Sequence, residues 1–186
     1  MTPQSFPDRI RQEATLSFTA ANLLSIPLQI GILGLFLLPY RLLWGPQAWS
    51  AALTPAFTLG ILLPVFTIGI VAHEALHALG WRVAGNITWH DFSFGIQKLT
   101  PYAHCKVALS VTAYRIGILL PCMALGVVPG GLGLLFNNGA LVFVGALFTM
   151  AASGDLMIYW LLRRVPTTAL VLDHPEKVGC VVLLAP

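Results

Sequence analysis

Apolar residues run along the chain in long blocks separated by short polar or turn-forming stretches. No charged residue stands between Glu13 and Arg41, and Phe18 to Tyr40 supplies 23 mostly apolar positions, enough to cross a hydrocarbon core of about 30 Å as a helix. The cluster Leu43-Trp44-Gly45-Pro46-Gln47 predicts a turn after this first span. A second block, from about Ala56 to Arg82, contains Gly60, Pro64 and Gly69 and predicts a kinked helix. Two further spans are expected over 107–128 and 140–162, joined by a short uncharged turn that Pro129-Gly130-Gly131 and Asn137-Asn138-Gly139 mark.

The character changes over 84–106, where Phe92, Phe94 and Ile96 alternate with polar neighbours and predict a β-hairpin. Residues 163–186 form a tail with one possible strand, Val178 to Leu184. The expected fold is an all-α membrane protein, a single domain over 1–186. It has four transmembrane helices (18–40, 56–82, 107–128 and 140–162) and a small β-hairpin-like loop (84–106) between the second and third.

Composition strengthens this picture. Of 186 residues, 57% are hydrophobic and only 9% charged, against about a quarter charged in an ordinary soluble domain, so a lipid bilayer is the expected surrounding. The net charge of +3 is spread out rather than gathered into a basic stripe, which argues against a nucleic-acid partner. Cys105, Cys122 and Cys180 make neither an even set nor a CxxC pair, so neither a disulfide framework nor a zinc knuckle is expected. The first apolar block is too long for a cleaved signal and is expected to be retained as an anchor.

Basic residues near span ends stay on the cytoplasmic side. A cytoplasmic N-terminus (1–17) and tail (163–186) put Arg9, Arg11, Arg82, Lys98, Lys106, Arg163, Arg164 and Lys177 inside, against Arg41 alone outside. Trp44, Trp49, Trp81, Trp89 and Trp160 then fall at expected interfaces.

The chemistry lies in His73-Glu74-Ala75-Leu76-His77, an H-E-x-x-H inside the second span. Positions i and i+4 share a helix face, so both imidazoles reach one metal while the Glu leans toward a water on it. Zinc suits such ligands, and a catalytic site uses three protein ligands with one position open. The other charged groups within the expected spans are Arg115 and Asp155, costly in lipid and therefore functional candidates. All four lie roughly 8–14 Å below the cytoplasmic ends of their helices at 1.5 Å per residue, so they meet at one level. Asp155 is the expected third ligand; Arg115 either stabilises an oxyanion or pairs with Asp155. His90, His104 and Cys105 lack zinc spacing and are expected to be ordinary loop residues.

The helix with His73-Glu74-Ala75-Leu76-His77-Ala78-Leu79-Gly80, the loop ending Tyr102-Ala103-His104-Cys105-Lys106 and the late Gly154-Asp155 resemble a bacterial family of unknown function regarded as zincin peptidases. That family is similar in plan to the site-2 proteases, although their Asn-Pro and Leu-Asp-Gly context is absent around Asp155. The resemblance implies a zinc metalloendopeptidase of the bacterial inner membrane. It implies one Zn2+ per chain on His73, His77 and Asp155, Glu74 as general base, and a membrane protein or peptide as substrate. Asn86 to Thr100 is the expected strand edge for holding an extended substrate. The rival readings are a divalent-metal transporter and a non-catalytic metal-binding protein. Transport generally uses repeats or a polar path on both sides, and neither stands out here.

Overall fold

The computed structural model describes residues 6, 8–56, 59–97, 100–174 and 177–185. Phe57 and Thr58 of the second expected span and Lys98 of the charge count lie outside the described residues. The chain runs β1 (Ile10–Leu16), α1 (Phe18–Ala56), α2 (Leu59–Gly85), β2 (Phe92–Gln97), β3 (Thr100–Cys105), β4 (Leu109–Ser110), α3 (Val111–Pro121), a π-helical turn (Cys122–Val127), α4 (Val128–Leu135), α5 (Gly139–Ala151), α6 (Ser153–Leu162), β5 (Leu170–Asp173) and β6 (Val178–Leu184). Among the described residues three helices are long and apolar enough to cross a membrane: Phe18–Ser50, Gly60–Gly85 and Val111–Leu135. The pair α5 and α6, bent by 52° at its break, makes a fourth if taken as one span.

The fold is mostly helical but not all-α. A four-stranded antiparallel sheet has the order β1-β6-β5-β4, with β1 and β6 paired from Ile10↔Leu184 to Leu16↔Val178. The charges of Arg11 and Glu13 disguise β1 in the sequence, because they sit on an exposed edge strand. The strand expected at Val178 to Leu184 is β6, which lies inside the sheet rather than in a loose tail. The expected hairpin is present as β2 and β3, a separate two-stranded sheet.

Two compact units share the chain. The first comprises 1–22, 74–120 and 154–186 and holds both sheets, the C-terminal part of α2, α3 up to Leu120, and α6. Its core is apolar and closed: Val111, Ile118, Leu162, Val171, Val182 and Leu183 are each under 2% exposed. Asn86, at a left-handed φ of 50°, ends α2, a conformation that Asn tolerates better than most residues. Trp81, expected at an interface, is buried instead, stacked between His77 and Tyr114 with its indole N–H on the Tyr114 carbonyl at 3.1 Å. Gly117 makes the space, since a Cβ there would lie 2.0 Å from the indole.

The second unit comprises 23–73 and 121–153. Ile32, Phe36 and Tyr40 recur every four residues and form the buried stripe of α1. The turn expected at 43–47 is a kink inside α1 at Gly45, whose φ of 80° needs no Cβ penalty. Pro129-Gly130-Gly131 likewise stays helical, as part of α4, and only Asn137-Asn138 turns the chain before Asn138 caps α5 through Leu141 N at 3.1 Å. Gly130, Gly133 and Gly145 serve contact instead of a turn. A Cβ on Gly145 would lie 2.4 Å from the Gly130 nitrogen, and one on Gly130 2.3 Å from Phe36. Chain breaks and close helix contacts use the same residues, so composition alone does not separate them.

Candidate metal centre

His73 and His77 lie one turn apart on continuous α2, so helix geometry alone puts both imidazoles on one face. Asp155 stands in the first turn of α6, because the helix breaks at Ala152 and restarts at Ser153. His77 Nε2 is 3.4 Å from Asp155 Oδ1, and one ligand atom from each of His73, His77 and Asp155 falls within 4.8 Å of the others. Tetrahedral zinc with ligands at about 2.0–2.1 Å sets neighbouring ligand atoms about 3.4 Å apart, so the donor set suits that ion in type and the His77–Asp155 pair has its spacing. Both histidines are buried. His77 Nδ1 lies 3.0 Å from the carbonyl oxygen of Gly117, which only accepts, so Nδ1 carries the proton and Nε2 turns toward Asp155.

Glu74 points at the hairpin. Its Oε2 accepts the Ala103 amide of β3 at 2.7 Å. Antiparallel pairs alternate between bonded and non-bonded, so the Ala103 amide faces away from β2, and so do positions 101 and 105. Pro101 has no amide to donate there, and the Cys105 amide donates to Asp173 Oδ2 at 2.8 Å. The outer edge of β3 is therefore closed by two carboxylates and a proline.

Asp173 is the residue that sequence reading missed. It accepts a very short bond from the Tyr114 hydroxyl and lies 3.6 Å from His104 Nδ1 as well as holding Cys105. Burial pushes its carboxyl above the usual range, against the lowering effect of the Tyr114 and Cys105 hydrogen bonds. An Asp in a short tail strand carries no spacing signal, and only the β5 register brings it to the hairpin. Gln29 was also missed. It donates to the buried Ser153 hydroxyl at 3.3 Å, two residues before Asp155.

Arg115, expected to stabilise an oxyanion or to pair with Asp155, is bonded to backbone carbonyls. Its guanidinium donates to the carbonyls of Leu162, very closely, and Val165, at 3.0 Å, and so closes the C-terminal end of α6, where helix carbonyls lack intrahelical donors. Burial pushes the Cys105 thiol up to about 12, so it stays protonated.

Two imidazoles and a carboxylate around one point, with a glutamate beside them on the same helix, make a zincin-type site. Residues 66–170, more than half of the chain, match the family described as "Putative zincin peptidase", and the chain belongs to that family. The matched stretch contains His73, Glu74, His77 and Asp155. The searches of curated proteins and of solved structures found no match.

Proposed function

We propose that this chain is a membrane-embedded zinc metallopeptidase that cleaves membrane-anchored or membrane-proximal protein substrates. The observation that carries the reading is the convergence of His73, His77 and Asp155 within 4.8 Å, with Glu74 next to the first of them on α2. Zinc on these ligands supplies a polarised substrate carbonyl and a water of pKa about 7. Glu74 takes the proton from the attacking water and returns it to the leaving amine. The Ala103 amide fixes one oxygen of that carboxylate.

The strand that meets Glu74 is β3, while the Asn86 to Thr100 stretch expected to hold substrate contains β2, its hairpin partner. The Ala103 amide is held by Glu74 and the Cys105 amide by Asp173, so an extended substrate segment pairs instead with the outer edge of β2, within the Asn86 to Thr100 stretch. Cleavage within a membrane helix requires such an extended segment, because helical hydrogen bonds otherwise shield the peptide bond.

The sheet supports the topology. β1 precedes α1, β4 precedes α3 and β6 follows α6, yet all three belong to one sheet, so the chain crosses an even number of times between β1 and β4 and again between β4 and β6. Four crossings satisfy this when α5 and α6 count as one, and the excess of Lys and Arg on the sheet side makes that side cytoplasmic, in a plasma membrane. The test is zinc content beside cleavage of a membrane-anchored reporter peptide. A wild-type protein that holds zinc and cleaves, with Glu74→Ala holding zinc and not cleaving, supports the reading; cleavage that persists in Glu74→Ala refutes it.

A further inference from the structure

We propose that Pro121 is a positioning residue for the metal centre: by withholding an amide hydrogen it leaves the Gly117 carbonyl to orient His77. This rests on the reading that His77 ligates zinc.

In an α-helix the carbonyl of residue i accepts the amide of residue i+4. For Gly117 that residue is Pro121, which has no amide hydrogen. A carbonyl deprived of its helical donor turns outward and takes another, and here it takes His77 Nδ1 at 3.0 Å. Two glycines let the bond form. A Cβ on Gly80 would lie 2.8 Å from Gly117 Cα, so α2 and α3 meet backbone to backbone one turn from His77. The stack of His77 on Trp81, with centroids 5.4 Å apart, limits the imidazole on another side. The ring is thus held with Nδ1 protonated and Nε2 3.4 Å from Asp155 Oδ1. Partners of this kind set the basicity and direction of a metal-bound imidazole. A proline beyond the last ligand-bearing contact gives no signal in the sequence, since it is four residues from a glycine and not near the H-E-x-x-H at all.

The test measures zinc affinity of the full chain in detergent by competition with a chromophoric chelator, for wild type, Pro121→Ala and Pro129→Ala. Alanine at 121 restores the competing amide, and zinc binding is expected to weaken about 10- to 100-fold. Pro129→Ala, which changes a proline at the start of α4, is expected to bind as wild type does. Affinity of Pro121→Ala within about twofold of wild type would overturn the proposal, as would an equal loss in Pro129→Ala. A second measurement needs no variant: in zinc-loaded wild type, the 15N shifts of His77 are expected to show a protonated Nδ1 and a metal-bound Nε2, and the reverse assignment overturns the proposal. Wild type that binds no zinc refutes the metal reading itself, a result distinct from an intact site indifferent to Pro121.

Discussion

The amide of Ala103 donates to Oε2 of Glu74 at 2.7 Å, and this bond ties β3 to the helix that bears both histidines. It lies outside the hairpin ladder, because Ala103 and Phe94 form a pair that exchanges no backbone hydrogen bonds. Ala103→Pro therefore removes the bond to Glu74 while keeping the β2–β3 ladder. Cleavage by this variant is expected to fall at least about tenfold, as after the loss of a catalytic positioning contact, with zinc content unchanged. Ala103→Gly, which retains the amide, should cleave nearly as well as wild type. Parallel kinetics and metal analysis of the two variants check this, and full activity in Ala103→Pro would exclude a role for the β3 edge.

Gly145 tests the helix packing independently of the chemistry. A Cβ there would meet the Gly130 backbone nitrogen at 2.4 Å and the Gly126 carbonyl oxygen at 2.7 Å, and backbone cannot swing aside as a side chain does. Gly145→Ala is expected to cost about 1–3 kcal/mol, seen as a lower thermal midpoint in detergent. Gly131→Ala, with nothing within 4 Å of the added carbon, should leave the midpoint near that of wild type.

Asp173 sets a pH dependence outside the spanning segments. Its carboxyl is raised above 3.8 by burial, so the folded chain holds more protons than the unfolded chain between 3.8 and the raised value. The stabilisation that follows is fully present below about 3.8 and is lost as pH rises through the folded value. Relative to Asp173→Asn, wild type should therefore lose stability as pH rises from about 4. Denaturation midpoints of the two proteins across pH measure the difference, and a gain by wild type with rising pH contradicts the assignment.

The shared sheet makes a topological prediction. Single cysteines introduced at Asp8 and Lys177 should react with an impermeant thiol reagent from the same side of the membrane, and one at Gln47 from the opposite side. Labelling of positions 8 and 177 from opposite sides would contradict an even number of crossings.

Much of the site was legible in the sequence because its signals are local. His73, Glu74 and His77 fall within one helical turn, and a charge such as Asp155 stands out in an apolar stretch. The hairpin was legible from its alternation. What escaped was everything set by pairing across long separations. Strand β1 reaches β6 across more than 160 residues, Asp173 reaches Cys105 through that sheet, and Gly117 reaches His77 through a missing amide. Glycines misled for the opposite reason. Gly130 looked like a turn because its lack of a side chain serves close helix contact equally well. Arg115 stayed open between an oxyanion stabiliser and a partner of Asp155 because a buried charge has no address in a sequence, and its bonds to the carbonyls at the end of α6 gave no signal there.

The most direct test of the central claim is the zinc content of the full chain purified in detergent, for wild type, Glu74→Ala, His73→Ala, His77→Ala and Asp155→Ala. The expected result is about one zinc per chain in wild type and Glu74→Ala, and loss in the three ligand variants. Zinc absent from wild type, or retained equally in Asp155→Ala and His77→Ala, would contradict it.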